Sequence, residues 1–182
     1  MKSTTDLKEE HESIAFFLAI LEAIISRMQS RKQISLEDLQ WLFEFNRDFI
    51  LKCHNGKEDC ILFPALEGMA VPPESINPLI AEHELAWSIS KTMRGLIQDC
   101  IEGRRDAEWD IIELGLSYIN FLKEHIDKEE TVFYPLVDEY ISRDMDDLLA
   151  LRFRLFIEDR IGIGRYIDLQ EMLQYLKTFY GI

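Results

Sequence analysis

Residues 54–64 read HNGKEDCILFP and residues 125–135 read HIDKEETVFYP, and this repeated stretch decides the fold. The two segments share His, Lys, Glu and Pro in register, and most of their other positions are similar in kind. A second match precedes them, because the tripeptide Glu-His-Glu stands at residues 10–12 and again at residues 82–84. Each of these single histidines lies 42 or 43 residues before the histidine of the longer segment. The pattern predicts two copies of one helical hairpin, each with a lone histidine followed by a His-x-x-x-Glu.

Apolar residues recur at spacings of four and three along the first segment, which is typical of the buried face of an amphipathic helix. That face comprises Leu7, His11, Ile14, Leu18, Leu21, Ile25 and Met28. We predict that this helix starts at Asp6, where Glu9 completes a capping box. The second helix is predicted to run from the Ser35 N-cap to about Gly68, with a kink or break at Pro64.

Prolines, glycines and candidate caps set the remaining boundaries. We predict a third helix over residues 77–103, with a proline in its first turn, and a fourth over residues 106–141. The tail reads as two shorter helices hinged at Gly162 and Gly164. Its apolar positions are expected to close the bundle or to pair subunits in a homo-oligomer.

The spacing places all four histidines of the chain in one layer. In each hairpin, the two histidines lie about 28 Å along their helices from the turn that joins them. Antiparallel packing therefore sets them at one height, and packing of the hairpins by pseudo-twofold symmetry brings the two pairs together. Glu58 and Glu129 stand one helical turn after His54 and His125, so they point into the same layer.

Two carboxylates buried in this layer without partners would cost much free energy. Metal cations remove that cost, and four imidazoles with two carboxylates match two cations. Mixed ligands of this kind suit iron, with manganese and zinc as alternatives.

At these residues the chain resembles the hemerythrin HHE cation-binding family, over about residues 6–140. The resemblance implies an all-α fold, with an up-down-up-down four-helix bundle over residues 1–141. A short C-terminal helical extension over residues 142–182 would pack on that bundle or in an oligomer interface. The implied cofactor is a pair of iron ions.

The resemblance also implies the metal ligands and their grouping. They are His11, His54, Glu58, His83, His125 and Glu129. In that family the two carboxylates bridge the metals. His11 and His54 would then serve one iron, and His83 and His125 the other.

One position departs from the oxygen-carrying members of that family, which have a further histidine one turn after the third-helix ligand. This chain has Trp87 there, which favours the relatives with four histidines over reversible oxygen carriage. We expect a non-haem diiron protein that binds or senses O₂, NO or iron. The alternative is an enzyme in which the same centre reduces nitric oxide or peroxide, or serves in iron-centre stress repair. The electron donor stays unassigned.

Other interpretations of the histidines fit less well. Ferritin-like diiron proteins need Glu-x-x-His on two helices, and zinc proteases need His-Glu-x-x-His; neither pattern occurs in the sequence. A metal-free bundle that acts as an interaction module would bury Glu58 and Glu129 together as like charges.

Composition limits the partners and the compartment. The chain has 182 residues and a net charge of −14 at pH 7, which argues against nucleic acid and anionic membranes as partners. The sequence shows neither a signal-like start nor an apolar run of about 18 residues. Three cysteines without a Cys-x-x-Cys favour free thiols in a reducing compartment. We therefore expect a cytoplasmic protein.

Several residues near the expected site have two interpretations each. Cys53 and Cys60 are expected to share a helix face. They could form a redox relay, but we favour their interpretation as small packing residues. Trp87 and Tyr118 either line the pocket or belong to the core. Most of the glutamates that flank His11 and His83 are expected to be solvated, although one could orient a ligand from outside.

Overall fold

The structure, a computed structural model, describes residues 1–104 and 106–182, and within these ranges it is all-helical. The helices are α1 (Lys2–Gln29), α2 (residues 36–66), α3 (Asn77–Ile101), α4 (residues 107–140), α5 (Arg143–Arg160) and α6 (Ile163–Tyr180). A single 3₁₀ turn, Pro73–Ser75, precedes α3. Over the described ranges, none of the helices combines the length and the apolar character that crossing a membrane requires. The predicted turn between the third and fourth helices includes Arg105, which lies outside the described residues.

Helices α1 to α4 pack around one apolar core. Helix α1 lies against α4 and α2, and α3 lies against the same two helices. Phe17 of α1, Phe43 of α2 and Tyr118 of α4 meet in this core, with ring centroids 6.0–6.4 Å apart. Burial of such rings contributes the largest apolar areas per residue. These contacts fix the three helices relative to one another about two to three helical turns away from the histidines.

The two repeated segments each contain a π-helical turn, Glu58–Leu62 in α2 and Glu129–Phe133 in α4. Each turn starts at the glutamate of His-x-x-x-Glu and ends two residues before a proline. A proline cannot donate the next i→i−4 hydrogen bond, so the helix widens by one residue at this point. The break or kink predicted at Pro64 is therefore a π turn, and the helix continues to Leu66. A longer π-helical stretch, Asn46–His54, occurs only in the first copy among the described residues.

The start of α1 corrects a prediction. The helix begins at Lys2, not at Asp6, and its first amides are capped from the far end of the chain. The Asp146 carboxylate accepts hydrogen bonds from the backbone N–H groups of Lys2 and Ser3, both at 2.9 Å. It also accepts from the Ser3 hydroxyl at 2.7 Å. Because this cap comes from α5, no local sequence signal could have revealed it.

The other predicted boundaries agree with the structure more closely. Ser35 caps α2, since its hydroxyl accepts a hydrogen bond from the Asp38 amide at 3.1 Å. The tail forms two helices joined at Gly162, which has a φ of +79° that favours glycine. Gly164 instead lies within the first turn of α6.

Both tail helices, α5 and α6, lie against α1 and α2. Arg165 of α6 donates to the buried Asp48 carboxylate at 3.0 Å. Tyr180, near the end of α6, donates its hydroxyl to Asp38 at 2.8 Å. These contacts place the tail on the outside of α1 and α2. The division of the chain at residues 141 and 142 stays a prediction.

Candidate metal centre

All four histidines of the chain lie in the interior and point their Nε2 atoms toward one another. Their exposed fractions do not exceed 4%. The Nε2 atoms of His11 and His54 are 3.1 Å apart, and the rings of His83 and His125 are centred 5.0 Å apart. The structure thus brings together the two histidine pairs that the sequence placed in one layer.

Glu129 lies between the two pairs and is fully buried. Its Oε2 atom is 3.1 Å from Nε2 of His11, and its Oε1 atom is 3.0 Å from Nε2 of His125. The same Oε1 atom is 3.7 Å from Nε2 of His83. One carboxylate therefore presents one oxygen to each pair.

Glu58 is also fully buried but is held differently. Its Oε1 atom accepts a hydrogen bond from the Tyr134 hydroxyl at 2.8 Å. Its Oε2 atom lies 3.4 Å from Nε2 of His83 and 3.9 Å from Nε2 of His54. Only one oxygen of this carboxylate thus faces the histidines.

The outward Nδ1 atom of every histidine contacts a carboxylate. The pairs are His11–Glu130 at 2.8 Å, His54–Glu10 at 3.1 Å, His83–Asp59 at 2.7 Å and His125–Glu82 at 2.8 Å. An Nδ1–H that donates to a carboxylate leaves Nε2 as the free lone pair, directed inward. Acceptors of this kind fix the orientation and the tautomer of histidines that bind metals.

These contacts obey the internal repeat. The residue before the lone histidine accepts from the second histidine of its own hairpin, as Glu10 and Glu82 do. The residue after the buried glutamate accepts from the lone histidine of the other hairpin, as Asp59 and Glu130 do. The repeated lysines also have matching partners, because Lys57 binds Glu10 and Lys128 binds Glu82.

The carboxylates shift the proton affinities of the histidines. Burial alone would lower the pKa of His83, but the nearby carboxylates of Asp59, Glu129 and Glu58 raise it to about 12. Burial is likewise outweighed at His11 and His125, whose pKa values are raised chiefly by Glu129. Burial opposes ionisation of Glu129, yet His125, His11 and His83 hold its pKa well below the usual range. These shifts keep Glu129 ionised and place the balancing protons on the histidines, and metal cations would displace those protons.

The donor set fits metal cations. Ligand atoms of His11, His54 and Glu129 lie within 4.8 Å of one another, and so do those of His83, His125 and Glu129. Five buried atoms find no hydrogen-bond partner within the described part of the chain, namely Glu58 Oε2, His83 Nε2, His125 Nε2, Glu129 Oε1 and Glu129 Oε2. Buried polar atoms of this kind normally have partners. All five face the space between the histidines, where metal cations would satisfy them.

The other residues that the sequence singled out differ in their burial. Trp87, at the position of the additional histidine, is 40% exposed. Tyr118 is buried in the core and donates its hydroxyl to Asn46 at 2.7 Å. Cys53 is buried, and burial raises the pKa of its thiol to about 12, whereas Cys60 is exposed. Cys53 therefore lacks the environment of a reactive cysteine.

The sequence interpretation missed the four acceptors as a set. Glu10 and Glu82 were among the glutamates expected to be mostly solvated, and Asp59 and Glu130 were not considered. The signal was present, because an acidic residue follows the buried glutamate in both segments and a lysine precedes it in both. Glu12 and Glu84 are exposed, as expected.

Comparison with known proteins agrees with the resemblance seen in the sequence. The model of the hemerythrin HHE cation-binding domain family matches residues 3–137. Neither the curated proteins nor the solved structures compared with this chain include a significant match.

Proposed function

This chain belongs to the hemerythrin HHE cation-binding domain family, and on that premise we propose that it is a non-haem diiron protein. The proposed ligands are His11, His54, Glu58, His83, His125 and Glu129. His11 and His54 serve one iron and His83 and His125 the other, with the two glutamates between them. The observation that carries the proposal is the set of five unpartnered atoms that face one another between the histidines.

The proposal includes the arrangement of the helices. We propose that α1 to α4 run up-down-up-down as a four-helix bundle, with the tail as a short extension. The contacts of α1 and α3 with both α2 and α4 support this arrangement. So does the pairing of Glu10 with His54 and of Glu82 with His125, which sets the two helices of each hairpin at one height.

We further propose that the centre binds or senses O₂ or NO in the cytoplasm. Ferrous iron supplies the affinity for such diatomic ligands. Four imidazoles and two carboxylates would leave two iron ions with room for such a ligand, and Trp87, which replaces the further histidine of the oxygen carriers, supplies no ligand atom. The chain itself orients its imidazoles through the four outer carboxylates and excludes bulk water by burial.

A solvent-exposed groove leads toward the His11 side of the centre. It has a volume of about 700 Å³ and lies between α1 and α4, with His11 and Glu130 among its lining residues. Ala15 and Ala19 of α1 also line it, and these small side chains keep it open. At the position of Ala15, the second copy has Trp87. Small ligands would therefore approach the centre more easily from the first copy than from the second.

Elemental analysis of the purified protein tests the metal centre. Protein produced with ample iron and purified without chelators should contain about two iron ions per chain. The His125→Ala variant should contain fewer, because it lacks one imidazole of the second position. Absence of metal from the wild-type protein would overturn the proposal. For the proposed ligand, NO added to the reduced iron protein should change its absorption spectrum, and an unchanged spectrum at millimolar NO would refute this part.

A further inference from the structure

Tyr134 and Phe63 occupy matching positions of the repeat, five residues after the buried glutamates. Each ring stacks on the lone histidine of the other hairpin. The ring of Tyr134 lies 5.7 Å from that of His11 at an interplanar angle of 20°, and Phe63 lies 5.9 Å from His83 at 14°. Both aromatic side chains are buried. The difference between the two positions is therefore one hydroxyl group inside the centre.

That hydroxyl binds only one of the two glutamates. Tyr134 donates to Oε1 of Glu58 at 2.8 Å. Phe63 has no hydroxyl to donate to Glu129, and neither oxygen of Glu129 has a hydrogen-bond partner among the residues that the structure describes. A hydrogen bond from a phenol to a buried carboxylate is charge-assisted and restrains rotation of the acid. Glu58 is thus fixed in one orientation, whereas Glu129 keeps both oxygens available.

Because of the orientation of Glu58, the two histidine pairs differ in how close the carboxylate oxygens lie to them. The pair His83–His125 has Glu58 Oε2 at 3.4 Å and Glu129 Oε1 at 3.0 Å from its nearest Nε2 atoms. The pair His11–His54 has Glu129 Oε2 at 3.1 Å, but Glu58 Oε2 is 3.9 Å away. Consistent with this, Glu129 belongs to both close groups of ligand atoms, and within the described ranges Glu58 completes neither.

We propose that Tyr134 makes the two metal positions unequal, with tighter binding at His83–His125 and weaker binding at His11–His54. Tyr134 acts as a positioning residue, because it works through Glu58. For a cation at His11–His54 to gain a Glu58 oxygen, the carboxylate must turn and give up the phenol hydrogen bond. The inference rests on the proposed metal centre. It adds that the Tyr134 hydroxyl determines which of the two metal positions fills first.

Calorimetric titration of the metal-free full-length protein with Co²⁺ tests the inference. The wild-type protein should bind two Co²⁺ ions in two steps with different dissociation constants. In Tyr134→Phe, the weaker step should tighten by about tenfold, because a hydrogen bond to a charged group no longer has to be broken. The tighter step should change little. His11→Ala should remove the weaker step and so identify it.

The repeat supplies a matched control. Phe63→Tyr adds a hydroxyl opposite Glu129, which interacts with both pairs, so both steps should weaken. A structural role of Tyr134 in packing alone would instead lower both affinities of Tyr134→Phe together, and this result would overturn the inference. Unchanged dissociation constants in Tyr134→Phe would overturn it as well. Circular dichroism of each metal-free variant confirms that it is folded. Failure of the wild-type protein to bind Co²⁺ would instead refute the metal centre, and the inference with it.

Discussion

The segments 54–64 and 125–135 share one pattern of histidine–acid and lysine–acid contacts in two different environments. In both, a lysine binds the glutamate that accepts from the second histidine of the hairpin. The Lys57 side chain is only 3% exposed, whereas that of Lys128 is 49% exposed. The first segment lies beneath the tail helices, and the second faces solvent. The hydrogen-bond pattern is therefore the same in both halves of the centre, whereas only the first half is covered by the tail helices α5 and α6, which we call the cover.

The cover depends on small features of the first segment. Phe153 of α5 lies 5.7 Å from the Lys57 ammonium. Gly56 lets α5 approach closely, because a Cβ atom there would lie 2.9 Å from the ring of Phe156. The second segment has Asp127 at the matching position, which suits a surface exposed to water. The two halves therefore share the contacts that orient their histidines but differ in their exposure to water.

The largest expected effect is a difference in metal content between variants of the two buried glutamates. Glu129→Gln should remove most metal from both positions, because this side chain presents an oxygen to each histidine pair. Glu58→Gln should leave the content nearer to one ion per chain, since only its Oε2 atom faces the histidines. Metal content by elemental analysis after equal loading measures both variants. Equal losses in the two would contradict the unequal roles assigned to the glutamates.

The next effect concerns the two lysines. Lys57→Met should lower the free energy of unfolding by about 3 kcal/mol, because it leaves the buried Glu10 without its ammonium partner. Lys128→Met, the matched control, should change it by less than about 1 kcal/mol, as is usual for exposed ion pairs. Urea unfolding of the metal-free proteins measures both. Similar costs for the two substitutions would mean that the tail does not exclude water from Glu10.

Much of the fold could be predicted from the sequence, because its causes are local or repeated. The periodicity along α1 and the Ser35 cap act within a few residues, so they can be read directly. The two hairpins could be predicted because the sequence repeats. The repeat indicates that His11, His54, His83 and His125, although far apart in the sequence, lie in one layer. Their metal-binding role remains a prediction for the experiments above.

What the sequence did not reveal depends on contacts between distant elements. Asp6 looks like the start of α1, yet the cap is Asp146, which only the folded tail brings near. The hydrogen bond from Tyr134 to Glu58 joins positions 76 residues apart. Likewise, the burial of Lys57 follows from the docking of α5, whereas its repeat partner Lys128 stays exposed. Sequence identity within the repeat therefore could not predict the difference in environment.

The smallest effect tests how the cover is attached. Asp146→Ala should lower the free energy of unfolding by about 1–2 kcal/mol, because α1 loses its N-terminal cap and α5 loses its bond to α1. Asp144→Ala, an exposed acid in the same first turn of α5, is the matched control and should have a smaller effect.

The effect of Asp146→Ala should also depend on pH. Burial opposes ionisation of Asp146, but hydrogen bonds from Ser3 and Lys2 hold its pKa below the usual value. A carboxyl with a lowered native pKa stabilises the fold fully above its ordinary pKa of about 4, and this contribution is lost as the pH falls through the native value. The difference between wild type and Asp146→Ala in urea unfolding should therefore shrink between about pH 4 and pH 2. A difference that stays constant over this range would mean that the charge is not involved and that apolar contacts, such as those in the cluster of Leu7, Leu149 and Phe153, hold the cover in place.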